Sequence, residues 1–321
     1  MRNEAFSAQL LIRLAYALAK IDIADDYRER MLILVSENLS AQFDHADTRT
    51  PFVLLPSLCC QACGEPAERS IGVSLAWFLL QVSANLLDKV EDRELTPIQS
   101  GPSDASIITN LTTGMILVAQ WILNHLELDH VDGGTAWDIQ RAFHETTLSV
   151  CSGQHLDLSA DAPDLSTCWQ IAEAKSGAAF ALACYAGARL ATNRSDVLDA
   201  FFQYGRELGT IVQIDDDLED LANISEHCSS WRMKKTLVNA YLKFVESSAS
   251  STRQNDLVNS AARNTSHEPI SSGSVLYLQL EKLKYATLAE NALKRLKLAG
   301  EFQHRLISII HHESRLRNYA N

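Results

Sequence analysis

Apolar stretches of ten or more residues, unbroken by proline or glycine, recur along this chain and decide what it can fold into. Seven prolines and 13 glycines in 321 residues are too few turn residues for a β-sandwich or barrel. Apolar positions fall instead at helical spacing, first at Leu10, Leu11, Leu14 and Leu18 and again over 27–39. Pro51 and Pro56 punctuate, and 68–92 reads as one long helix, apolar on most sides and therefore central. After a loop holding Pro97, Gly101 and Pro102, helices are expected over 104–126 and 134–156. Pro163 breaks the pattern. A nearly wholly apolar helix over 166–191 then carries one internal lysine, Lys175. The helix over 194–221 ends in an acid cluster. A loop at 227–234 precedes a helix at 236–246, and 247–272 is polar and Ser/Asn-rich, the composition of a mobile surface loop or linker. Helices over 274–298 and 302–319 close the chain. No repeat of 20–50 residues is visible. The expectation is one all-α domain spanning 1–321.

The formal net charge of -12 argues against a nucleic-acid binder, which needs a basic face, and against a polybasic membrane-surface protein. The first residues lack the apolar core of a signal peptide. No stretch reads as the ~18 apolar residues a transmembrane segment needs, since serines and charges interrupt each candidate. A cytoplasmic protein is expected. The seven cysteines (59, 60, 63, 151, 168, 184 and 228) read as reduced, mostly buried thiols. Cys60 and Cys63 form a lone CxxC with no second pair at zinc spacing. The ten histidines are scattered, and Trp77, Trp121, Trp137, Trp169 and Trp231 read as core or interface.

Two acid clusters stand out, each closing an apolar helix. Asp88 and Asp92 lie one turn apart within 85–92, so their carboxylates share a helix face. Like charges there repel each other and meet the negative end of the helix dipole. A cation removes that penalty, and Mg²⁺ suits it because it takes carboxylate and water oxygens and bridges to phosphates. The second cluster, Asp215-Asp216-Asp217-Leu218-Glu219-Asp220, repeats the spacing at Asp216 and Asp220. Lys175 either snorkels to the surface or faces an anionic ligand in a cavity.

These residues resemble the trans-isoprenyl diphosphate synthases, all-α bundles of the class I isoprenoid synthase fold built around a central apolar cavity. Gln213 with Asp216-Asp217-Leu218-Glu219-Asp220 matches that family's second DDxxD motif, and Asp88-Lys89-Val90-Glu91-Asp92 matches the first with one change. Gly153-Gln154 with Asp157 resembles its GQxxD segment, Lys175-Ser176-Gly177 its KTG-like segment, and Lys234-Lys235-Thr236-Leu237 its KxTLP stretch. The resemblance covers about 45–320 in the correct order.

The resemblance implies that Asp88, Asp92, Asp216 and Asp220 hold Mg²⁺, three ions together with the diphosphate of an allylic substrate. Asp217 joins the catalytic set, and Arg93, Lys175, Gln213, Lys234 and Lys235 contact the diphosphate. Trp77, Phe78, Ala84 and Phe180 would wall the cavity, where an aromatic face steadies a carbocation. Small residues at Ser83 and Ala84 imply room for a C15–C20 chain. A homodimer is expected on the same ground.

The departures from the family matter for the reaction. Lys89 replaces the second aspartate, leaving DxxxD, and a single Arg93 stands where the family carries an arginine pair. The GKRxRP segment corresponds to 46–51, which keeps Pro51 but loses most basic side chains, and Gln81 falls where a histidine is frequent. Those groups bind isopentenyl diphosphate in the family, and guanidinium contacts are the strongest anchors for such an anion. Three readings are open. One is a prenyltransferase with an unusual acceptor, as in distant relatives that prenylate a peptide and share DxxxD. Another is a terpene synthase acting on a single prenyl diphosphate. The third is a non-catalytic regulatory subunit of a true synthase.

Overall fold

The computed structural model describes residues 3–44, 49–93, 104–222, 235–253, 268–298 and 300–315. Among them there is no strand. Twelve α-helices run in order: α1 (Asn3–Ala19), α2 (Asp25–Phe43), α3 (Leu55–Ala62), α4 (Ile71–Glu91), α5 (Ala105–Leu123), α6 (Gly133–Ser159), α7 (Leu165–Ala172), α8 (Ala178–Arg189), α9 (Ser195–Ala222), α10 (Leu237–Arg253), α11 (Glu268–Lys294) and α12 (Gly300–Glu313). The all-α expectation holds.

The chain forms two compact units, the first comprising Met1–Thr147, Leu182–Phe202 and Arg295–Ile309, the second Leu148–Ala181, Gln203–Lys294 and Ile310–Asn321. In the first, α4 is the core helix, with α1, α2, α3 and α5 packed on it. Val73, Leu75, Trp77, Phe78 and Leu79 are buried on successive sides of α4, as its near-continuous apolar sequence requires. Each large side chain so buried stabilises by ~1.5–3 kcal/mol. Two aspartate caps start helices where the sequence changes period. Asp104 accepts from Ser106 N at 2.7 Å to open α5, and Asp164 accepts from Thr167 N at 2.8 Å to open α7, each satisfying an otherwise orphaned donor. Pro56 sits in the first turn of α3, where its missing N–H costs nothing.

Four expectations change. The helix expected over 68–92 begins with a 3-10 turn, Ala67–Ser70, before α4. The single helix expected over 166–191 is α7 and α8 joined by a π-turn, Glu173–Gly177. The polar segment 247–272 is shorter than expected, because α10 continues to Arg253 and α11 begins at Glu268; residues 254–267 lie outside the described residues.

The fourth change concerns membrane-span length. Ala67–Glu91 and Ala105–Leu123 are long and apolar enough to cross a membrane by composition, with mean hydropathy 1.5 in each. Serine and threonine do not interrupt them, because their hydroxyls bond back into the helix. Ser83 donates to Leu79 O at 2.7 Å and Thr113 to Thr109 O at 2.8 Å. In the first segment 72% of the window is buried inside the protein, against 44% in the second, and α4 and α5 pack on each other. The first is the core helix of this unit.

In the second unit, Cys168, Ala172, Ile214, Leu218, Leu237, Val238 and Leu278 form one apolar cluster, drawing α7, α9, α10 and α11 together. Gly209 lets α9 lie directly on the π-turn: a Cβ there would stand 2.3 Å from Ser176 O, a distance no side chain tolerates.

Candidate active site

The acid clusters fall in different units. In the first unit, Asp88 lies half-buried in the last turn of α4, and Asp92 is its exposed C-cap, donating its backbone N–H to Asp88 O at 2.9 Å. Arg93, expected at the diphosphate, takes the left-handed conformation (φ 59°) that closes the helix and is exposed. Trp77 and Phe78, expected as cavity wall, are each 1% exposed in the interior of this unit, whereas Ala84 is exposed on α4. Gln81 Oε1, in the family's histidine position, is buried and accepts no hydrogen bond among the described residues. Residues 46–48 and 94–97 lie outside those residues.

In the second unit the acid cluster divides by helix face. Asp216, Glu219 and Asp220 are exposed, while Asp215 and Asp217 are buried. Asp215 pairs with Lys282 of α11 at 2.6 Å, and Lys282 also donates to Arg315 O at 3.3 Å. Asp217 has both oxygens engaged. Gln213 Nε2 donates to Oδ1 at 3.0 Å, and the Leu237 N–H at the start of α10 donates to Oδ2 at 2.6 Å. Burial pushes the Asp217 carboxyl up to about 6 against the lowering effect of those two donors, with Asp220 and Asp157 adding negative charge nearby. Phe180 is buried in this unit.

Lys175 sits in the π-turn, a helical defect that often marks a functional position. Its Nζ donates to Asp157 Oδ2 at 2.9 Å, and the two side chains are 22% and 24% exposed. The adjacent Ser176 Oγ donates to Gln213 Oε1 at 2.7 Å. Lys235 is exposed, and its Nζ donates to the carbonyl oxygens of Asp157 and Leu158 at the end of α6. Lys234, Trp231 and Cys228 lie outside the described residues. Both described lysines therefore end on one aspartate. The sequence shows Asp157 only through its GQxxD spacing. Lys282 is hidden among Glu281 and Lys284, and its only signal is that five carboxylates in six residues call for a cation.

Among the described residues no three His, Cys, Asp or Glu side chains gather in a metal-holding group. The exposed pair Asp216 and Asp220 nonetheless offers hard oxygen donors one turn apart, a set that fits Mg²⁺ when water and phosphate oxygens complete the shell. The CxxC offers no such chemistry. Burial raises Cys60 to about 12 and Cys63 to about 11, which keeps both as neutral thiols.

Residues 104–230 match the polyprenyl synthetase family model. That span includes Asp157, Lys175 and the second acid cluster but not Asp88, Asp92 or Lys235. The tryptophan prenyltransferase ComQ of Bacillus subtilis subsp. natto (strain BEST195) is 25% identical over 239 residues, covering 71% of each chain. Among solved structures, a polyprenyl synthetase from Streptomyces coelicolor A3(2) superimposes with a TM-score of 0.72 at 18% identity, covering 97% of this chain and 98% of that one. A geranylgeranyl pyrophosphate synthase from Corynebacterium glutamicum, complexed with isoprenyl diphosphate and magnesium, gives 0.72 at 16% identity, covering 99% and 100%. At these identities the likeness is one of fold. Residues 104–230 thus resemble the polyprenyl synthetase family in sequence, and the described chain shares the all-α fold of these solved structures.

Proposed function

We propose that the chain transfers the prenyl group of an allylic prenyl diphosphate, of about C15–C20, to an acceptor other than isopentenyl diphosphate. The observation that carries this is the convergence of Lys175 and Lys235 on Asp157, in the unit that also presents Asp216 and Asp220. A diphosphate carries more charge than the Asp157 carboxylate that holds Lys175, and far more than the two backbone carbonyls that hold Lys235, so it takes both ammonium groups. Charge-assisted bonds of this kind are the strong ones, and they favour the leaving group as its negative charge grows. Asp216 and Asp220 of this unit would hold Mg²⁺, which supplies further charge stabilisation to the departing diphosphate; Asp88 and Asp92 are proposed as Mg²⁺ ligands in their own right.

The acceptor reading rests on what the sequence lacks. A second diphosphate has few guanidinium anchors, since Arg93 stands alone where the resembled family carries an arginine pair. The ComQ relative, by its name, prenylates tryptophan, so an indole side chain is the acceptor class to test first. A homodimer, expected on the resemblance, is part of the proposal.

The test supplies purified protein and Mg²⁺ with geranyl, farnesyl or geranylgeranyl diphosphate, each with and without isopentenyl diphosphate or a tryptophan-containing peptide. Prenylated peptide is the expected product. Longer prenyl diphosphates made only with isopentenyl diphosphate would establish ordinary chain elongation instead. Hydrocarbon or prenyl alcohol from one substrate would establish a terpene synthase, and silence in every tube would favour a different acceptor or a non-catalytic partner role. Asp88→Ala and Asp216→Ala should each abolish turnover with the helical spectrum intact.

A further inference from the structure

The two lysines are not placed independently. Residues 175 and 176 of the π-turn point their polar groups two ways, Lys175 to Asp157 of α6 and Ser176 to Gln213 of α9. The start of α10 does the same, with Lys235 reaching the carbonyls of Asp157 and Leu158 and the Leu237 N–H reaching Asp217. Gln213 joins Asp217 on α9. The contacts close a ring that runs from Asp157 through Lys175, Ser176, Gln213, Asp217 and Leu237 to Lys235 and back to Asp157.

We infer that Asp217 is a positioning residue of this ring, setting where Lys235 and Lys175 stand for a diphosphate, rather than a group that contacts metal or substrate. It is 8% exposed, and its two oxygens are spent on Gln213 and on the Leu237 N–H. A buried acceptor at the N-terminus of α10 fixes where that helix starts, and Lys235 stands just before that start. Gln213 carries the constraint to Ser176, next to Lys175. The ring also explains why Gln213 has a fixed amide orientation: Oε1 accepts from Ser176 while Nε2 donates to Asp217. The inference rests on the diphosphate reading above for the lysines' role, but the ring itself does not.

Two readouts separate the ring from that reading. Inorganic diphosphate is titrated into the full chain with Mg²⁺ by calorimetry, and amide exchange is followed at Leu237. Asp217→Ala should weaken diphosphate binding about tenfold and deprotect Leu237. Asp217→Asn should restore both, because the amide oxygen can take the place of Oδ2 in accepting from Leu237 N–H, and a flipped Gln213 amide accepts from the new Nδ2 while donating to Ser176 Oγ. If Asp217→Asn binds as poorly as Asp217→Ala while Leu237 stays protected, the charge itself acts on the ligand and the inference falls. If Asp217→Ala does not fold, Ser176→Ala decides: it cuts the ring without touching Asp217 and should weaken binding about threefold, and unchanged binding overturns the inference. If the wild-type chain takes up no diphosphate, the functional reading fails. Leu237 exchange alone then tests the ring, and unaltered exchange in Asp217→Ala, or in Ser176→Ala if that variant decides, refutes it.

Discussion

Lys282 Nζ meets Asp215 Oδ1 at 2.6 Å with the two side chains 1% and 6% exposed. The pair ties the last turns of α9 to α11, one residue ahead of Asp216. The five carboxylates of this helix end are therefore not one solvated cluster. Asp215 and Asp217 face inward to a lysine and a helix start, which leaves Asp216, Glu219 and Asp220 outward. The outward set is the part with the geometry for a cation.

Removing one partner of that buried pair strands the other. Lys282→Met should destabilise by ~3–5 kcal/mol, whereas the double change Lys282→Met with Asp215→Leu should recover most of the loss, since an apolar pair of similar size is often neutral. Urea midpoints of the three proteins measure this. A single variant as stable as wild type would mean the pair is not buried.

Lys175 is different because it is about a quarter exposed. Its ion pair with Asp157 stabilises the fold by only ~0–1 kcal/mol. Lys175→Gln should leave the urea midpoint nearly unchanged while weakening binding of inorganic diphosphate in Mg²⁺ roughly ten- to hundredfold, the worth of one charge-assisted hydrogen bond. Lost stability with unchanged binding would give Lys175 a structural role only.

The acid end of α9 is legible in the sequence because carboxylates at i and i+4 share a face in any helix. The same periodicity places α4 at a core, since Trp77 and its neighbours are apolar on every side. What periodicity misses is the partner. Nothing local marks Leu237 N as the group that Asp217 holds across 20 positions, or Lys282 as the cation for Asp215. The π-turn is equally silent: Glu173–Gly177 reads as good helix, and the extra residue is accommodated where Gly209 admits the Ser176 backbone. The left-handed backbone of Arg93 at the end of α4 is equally unmarked, since nothing in the residues before it signals where the helix closes.

Asp129 gives stability a pH dependence away from the candidate site. Burial pushes its carboxyl up to about 6, outweighing the Arg13 guanidinium 3.5 Å away. Unfolded, the group returns to ~4. Between those values the native state holds more protons than the unfolded one, so this residue's contribution falls as pH rises from ~4 to ~6. The loss amounts to ~2–3 kcal/mol at pH 7, at ~1.4 kcal/mol per unit. Asp129→Asn should remove that slope, matching wild type near pH 4 and exceeding it at pH 7. Urea midpoints across this range test it, and a difference that stays flat with pH would refute it.

Gly209 and Gly133 should respond oppositely to alanine. In a helix interior the change ordinarily helps, because glycine loses more backbone freedom on folding. At Gly133, at the start of α6, a Cβ meets nothing within 4 Å, so Gly133→Ala should be neutral or stabilise by ~0.4–1 kcal/mol. At Gly209 the new Cβ would lie 2.3 Å from Ser176 O and 2.7 Å from Ser176 C. Backbone cannot swing aside as a side-chain tip can, so overpacking of ~1–3 kcal/mol outweighs the entropy gain. The displaced segment is the π-turn itself, so Gly209→Ala should also loosen Lys175 and weaken binding of inorganic diphosphate, which Gly133→Ala should leave alone. Urea midpoints and calorimetry on the two variants decide it; a Gly209→Ala protein with wild-type stability and binding would show that α9 does not rest on the Ser176 backbone.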